Sequence, residues 1–161
     1  FLCYFYTINL CNQMGFFKKI DSVFSSSKDF NLFERTEVDK EIEENIKKVG
    51  IDKFGESDYA DLYLRINELG GFLILETITV SATNIKSKKG SKLVLSNENT
   101  KFTLESDETK IESDVSDVVN KSITKIDYNL TEEEAKIFKE NTFKEALFEI
   151  NGKEIQFSVL K

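Results

Sequence analysis

The pair Asn151-Gly152 stands between two runs of alternating apolar and polar residues, 144–150 and 153–159. Asn-Gly takes positive φ at both positions of a two-residue loop, and the type I′ turn it forms matches the twist of paired strands. The register then follows. Ile150 faces Lys153, Phe148 faces Ile155 and Ala146 faces Phe157, which puts Ala146, Phe148, Ile155 and Phe157 on one face of a hairpin and assigns that face to the core. Leu147 and Leu160 fall on the other face, which suggests that it is partly covered too.

Other strands follow from period two and composition. Residues 59–67 carry Leu62, Leu64 and Ile66 in alternation; Tyr59, Leu62, Tyr63 and Ile66 also fit a helical stripe, and a strand is the preferred reading. Gly70-Gly71 turns the chain into residues 72–82, rich in Ile, Val and Thr. Short strands at 92–95 and 101–105 flank the turn Asn97-Glu98-Asn99 and extend the sheet as a meander. Residues 122–130 place Ile126, Tyr128 and Leu130 on one face.

Two segments read as helices. Thr36 is placed to cap the first, with Asp39 three residues on, and Val38, Ile42, Ile46 and Val49 form its apolar stripe before Gly50 ends it. Thr131 and Glu134 have capping-box spacing, and Ala135 with Phe138 gives the second helix an apolar side. The fold class expected is therefore α+β: a mainly antiparallel sheet, sandwich or open barrel, with one N-terminal helix and one short helix before a C-terminal β-hairpin. The strand order stays open.

The 161 residues divide into three parts. Residues 1–13 precede Met14 and read as an upstream segment outside the fold. Residues 14–35 contain Ser25-Ser26-Ser27 and read as a flexible amphipathic lead, and residues 36–161 as a single globular domain. Within that domain the acidic stretch 105–117 reads as a solvated or mobile linker. Phe16, Phe17, Phe24, Phe30 and Phe33 make the lead aromatic; packing back onto the sheet is the preferred reading, and docking on a partner or membrane through residues 14–24 the alternative.

Composition narrows the chemistry. The chain has no His, which removes imidazole acid–base catalysis, Ser-His-Asp and Cys-His pairs, and His-containing zinc sites. Carboxylate chemistry, Lys chemistry and oxygen-ligand metals remain. A net charge of −7 argues against nucleic acid as a partner, because phosphate binding depends on clustered Lys and Arg. Cys3 and Cys11 are the only cysteines, so no disulfide framework exists and a cytoplasmic setting is expected. No glycine fingerprint for a nucleotide is present, and no cofactor is expected.

The candidate binding residues are Lys86, Lys88, Lys89 and Lys92, grouped around Gly90 in an otherwise acidic chain. Such a loop can meet phosphate, an acidic protein or a lipid headgroup, whereas Lys at a strand end also serves simply to keep a sheet edge soluble. Asp107, Glu112, Asp114 and Asp117 lack the ligand order of a calcium loop. Asp58 and Asp61 are the pair to weigh as catalytic carboxylates, with nothing in their setting to mark burial. The functional expectation is a non-enzymatic binding or accessory protein acting through a protein surface. The alternatives are an exported or membrane-attached β-domain truncated at its N-terminus, and a small-ligand enzyme using carboxylate or Lys chemistry.

Overall fold

The structure, a computed structural model, describes residues 35–116 and 121–160. The segments 1–13 and 14–34, with the aromatic lead, and the candidate ligand Asp117 lie outside the described residues. Along the chain run α1 (Arg35–Lys48), β1 (Asp52–Glu56), β2 (Ala60–Leu69), β3 (Phe72–Ser81), β4 (Lys86–Ser87), β5 (Ser91–Ser96), β6 (Lys101–Glu105), β7 (Ile111–Glu112), β8 (Asp114–Ser116), β9 (Lys121–Leu130), α2 (Glu132–Glu140), β10 (Glu145–Ile150) and β11 (Lys153–Val159). Nine strands form one antiparallel sheet in the order β6-β5-β10-β11-β1-β2-β3-β9-β8, curled into a nearly closed barrel. β4 and β7 make a separate two-stranded ribbon. The α+β class, the open barrel and both helices are as the sequence indicates.

The C-terminal hairpin has the expected register, Ile150 opposite Lys153, Phe148 opposite Ile155 and Ala146 opposite Phe157. Asn151 and Gly152 take φ of 50° and 75°, as a type I′ turn requires. Gly70 and Gly71 do the same between β2 and β3, at 61° and 86°. Because side chains alternate across a strand, the inward residues Leu62, Leu64, Leu75, Leu93, Leu95, Ile126, Tyr128, Phe148 and Phe157 fill the barrel as one buried cluster. α2 lays Ala135 and Phe138 on this cluster, and the Phe138 ring lies 6.1 Å from Phe54 and 6.0 Å from Phe143. Its start is a capping box: Thr131 Oγ1 accepts from Glu134 N at 3.2 Å, and Thr131 N donates to Glu134 at 2.8 Å.

The outer face of β2, β3 and β9 is also buried. Ile42 and Ile46 of α1, with Ile51, pack on Tyr63, Ile78, Val80 and Ile123. The sheet centre is therefore covered on both sides, which explains why Tyr63 sits as deep as its neighbours Leu62 and Leu64.

Four expectations need correction. α1 runs from Arg35, so Thr36 lies within the helix and not at the position before its first turn. Val49 is exposed beyond the helix end, and its backbone, not its side chain, ties the helix to the sheet. The meander breaks between β3 and β5: β2 pairs with β3 and β5 with β6 as expected, but β3 goes on to pair with β9 and β5 with β10. The acidic stretch is not a free linker, because Ile111-Glu112 pairs with Lys86-Ser87 and Asp114–Ser116 pairs with β9. Ile111 is buried in the interior cluster, which gives this largely polar segment a reason to dock. On the hairpin's outer face Leu147 is half-buried, while Leu160 is exposed. No helix among the described residues is long and apolar enough to cross a membrane.

Candidate functional site

The lysine loop is built by its small residues. Ser87 Oγ donates to the Gly90 carbonyl at 2.8 Å and accepts from Lys89 N at 3.1 Å, drawing the loop into a tight turn. Gly90 has φ of 76°, and a Cβ there would come within 3.0 Å of Ser106 Oγ, so both conformation and space require glycine. Ser113 anchors the ribbon beneath: its Oγ accepts from Ile85 N at 2.8 Å and meets Thr124 Oγ1 of β9 at 2.7 Å. Inside the barrel, Ser91 Oγ and Tyr128 Oη share a hydrogen bond of 2.8 Å, and burial pushes the Tyr128 phenol above its ordinary range.

These contacts bring the loop beside the Asn151-Gly152 tip, which stands between two grooves. The first, about 500 Å³, is lined by Lys89, Lys92 and Lys153 with Glu105, Glu149 and Glu154 among others. Lys92 pairs with Glu105 at 3.2 Å, so its charge is answered within the sheet. Three carboxylates facing three ammonium groups leave no net attraction for a phosphate, whatever the loop suggests in isolation. The second groove, about 620 Å³, lies between Lys153, Glu154 and Ile155 on one side and Tyr59, Thr83, Asn84, Ile85 and Lys86 on the other. Ile85, Ile150 and Ile155 form its apolar floor, and Tyr59 is half exposed on its wall. Of the four candidate lysines, Lys86 faces the second groove, Lys89 and Lys92 the first, and Lys88 lines neither.

The other candidates do not form a site. Asp61 pairs with Lys53 at 3.1 Å, and Lys53 also meets Glu56 at 3.0 Å; Asp58 is exposed. Burial works against the Lys53 charge, but its bonds to Glu56 and Asp61 outweigh burial and hold its amine above the ordinary range. Asp107, Glu112 and Asp114 are exposed, and Glu112 pairs with Lys110 at 3.3 Å. Among the described residues no group of three or more acidic or cysteine side chains is arranged to hold a metal ion.

One charged cluster went unnoticed in the sequence. Arg65 Nε donates to Glu76 at 2.6 Å, Arg65 Nη1 donates to the Val49 carbonyl, and Asn67 Nδ2 donates to Glu76 at 3.2 Å. Asp127 sits opposite Glu76 in the next strand, 3.6 Å from Lys125, with Oδ1 buried and unpartnered among the described residues. Burial raises its pKa, Lys125 opposes that, and Glu76 adds to it. Burial likewise raises Glu108, with Asp127 contributing. The arginine satisfies an orphan carbonyl at the end of α1, which makes the cluster a fastening between helix and sheet.

No family model matches the chain, and no curated protein or solved structure shows significant similarity to it.

Proposed function

We propose that this protein is a non-enzymatic binding module for another polypeptide, with its working surface at the barrel end around the Asn151-Gly152 tip. The observation that carries the reading is the pair of grooves, about 500 and 620 Å³, flanking one hairpin tip. Both lie in the size range of small binding sites, and the second combines an apolar floor with a polar rim. Side chains fill the barrel interior, which favours a surface over an enclosed ligand site. A cytoplasmic setting belongs to the same proposal and rests on the cysteine usage.

The test is selection of a displayed random heptapeptide library on the full chain. Enriched peptides should lose at least about tenfold in affinity on a variant combining Tyr59→Ala, Lys86→Glu and Lys153→Glu. They should keep their affinity on Phe72→Ser, at the other end of β3. Peptides that behave the opposite way, or no enrichment at all, would overturn the reading.

A further inference from the structure

We propose that the second groove takes its partner as an added β-strand, pairing an extended acidic peptide with the free edge of β11. The inference rests on the binding reading above and names the class of partner.

β11 has seven residues, and β10 pairs with nearly all of it. On its other side β1 reaches only Ser158 and Val159, because the chain leaves β1 after Glu56 and turns at Ser57, whose N–H donates to the Ala60 carbonyl at 2.8 Å. In a two-residue hairpin the pairs Ile150/Lys153, Phe148/Ile155 and Ala146/Phe157 exchange both their hydrogen bonds. The intervening residues of β11 therefore aim their N–H and C=O groups away from β10. For Ser158 these groups meet β1. For Glu154 and Gln156 no backbone or side-chain partner exists among the described residues.

Unpaired strand edges are templates for a further strand. Here the groove opens beside Glu154, which lines it, and is bounded across by Tyr59, Thr83 and Asn84; Gln156 lies two residues further along the same strand edge. A strand laid there would satisfy the four backbone groups of Glu154 and Gln156. Its alternate side chains would fall toward Ile85 and Ile155, next to Tyr59. Charge selects the sequence: the lining of this groove carries two ammonium groups, Lys86 and Lys153, which make no ion pair among the described residues, and one carboxylate, that of Glu154, while Glu112 opposite Lys86 and Glu149 near Lys153 stand outside the lining. Acidic residues flanking an apolar one complement that rim.

The closing experiment uses heptapeptides enriched on the full chain and synthetic copies N-methylated one position at a time. Methylation at alternate positions should lower affinity about tenfold, and at the intervening positions hardly at all. In the free chain the amides of Glu154 and Gln156 should exchange rapidly while those of Lys153, Ile155 and Phe157 are protected. Saturating peptide should slow the first two about tenfold or more. Gln156→Pro removes an outward N–H without touching the ladder to β10, so it should weaken binding about tenfold in a folded protein. If that variant does not fold, methylation and exchange still decide. Equal tolerance of methylation at all positions overturns the added strand. So does protection of Glu154 and Gln156 in the free chain, which would mean that a second copy or the chain's own N-terminal residues already cover the edge. Peptides that fail on the barrel-end variant yet ignore methylation would leave the binding reading standing and remove only this one.

Discussion

Two glycines, Gly152 in the turn of the C-terminal hairpin and Gly55 of β1 packed against β11, are required for opposite reasons. Gly152 has φ of 75° and open space where a Cβ would go, whereas at Gly55 a Cβ would lie 3.1 Å from the Ser158 carbonyl oxygen and 3.2 Å from Phe157 Cβ. Gly152→Val therefore meets backbone strain alone and should lower stability by about 1–3 kcal/mol. Phe148→Ala, at 1 % exposure, should lower it by about 3–5 kcal/mol, and exposed Lys88→Ala by less than about 0.5 kcal/mol. Urea melts of the three variants check the ranking; equal midpoints for Phe148→Ala and Lys88→Ala would remove the hairpin from the core. Asp127 gives a pH-dependent case. Burial raises its pKa in the folded chain above the ordinary 3.8, so the folded state binds its proton more tightly than the unfolded state does. Its ionisation then works against folding, absent below the ordinary value and growing as pH rises through the folded one. Asp127→Asn should raise the melting temperature at pH 7, with the gain shrinking as pH falls toward 3.8. A loss of stability at pH 7 would show that the contact with Lys125 outweighs burial.

Elements whose signals are local were legible, and those that depend on distant partners were not. Turn chemistry at Asn151-Gly152 gave the register residue by residue, and Thr131 with Glu134 gave the start of α2, because each motif contains its own hydrogen-bonding logic. β1 passed unnoticed: Asp52–Glu56 is short, mostly polar and interrupted at Gly55 by a register shift against β2. The ribbon β4/β7 was hidden for a related reason, since two-residue strands have no period and only Ile111 and Ile85 mark them as buried. Lys86, Lys89 and Lys92 stand out in the sequence as a cluster, yet their division between two grooves depends on the tip of β10 and β11, some sixty residues downstream. Lys153 and Tyr59 gave no signal of their own. The outward groups of Glu154 and Gln156, by contrast, follow from the hairpin register; what the sequence withheld was that β1 stops short of them. The capping box offers an element-scale check. Thr131→Ala removes the acceptor for Glu134 N and should cost about 1 kcal/mol. Thr131→Ser should restore most of it, and if both variants melt alike the box contributes nothing to holding α2 on the barrel.

At the scale of the whole molecule, one sheet separates two apolar clusters that differ in how they are held. The interior cluster is enclosed by strands along most of the chain, from Ala60 to Phe157. Among the described residues the exterior one is held on its outer side by α1 and Ile51, with Ile46 fully buried at its centre and Arg65 tying the end of the helix to the sheet. A 14-residue helix is marginal by itself in water, so α1 persists because of that apolar face. Ile46→Ala should remove about 2–5 kcal/mol, and the loss should fall unevenly. β3 and β9 pair along nearly their whole length and keep the interior cluster when α1 loosens. Hydrogen exchange of the variant should show α1 amides exchanging freely while those of β3 and β9 stay protected close to the global limit. Far-UV circular dichroism should lose helix signal before the main urea transition, which should itself move little. The freed face exposes Tyr63, Ile78, Val80 and Ile123 together, and the variant should therefore self-associate more as its concentration rises. If instead β3 and α1 amides accelerate together and the protein melts in one shifted transition, the helix and the barrel form a single cooperative unit, and the division into two separately held clusters fails.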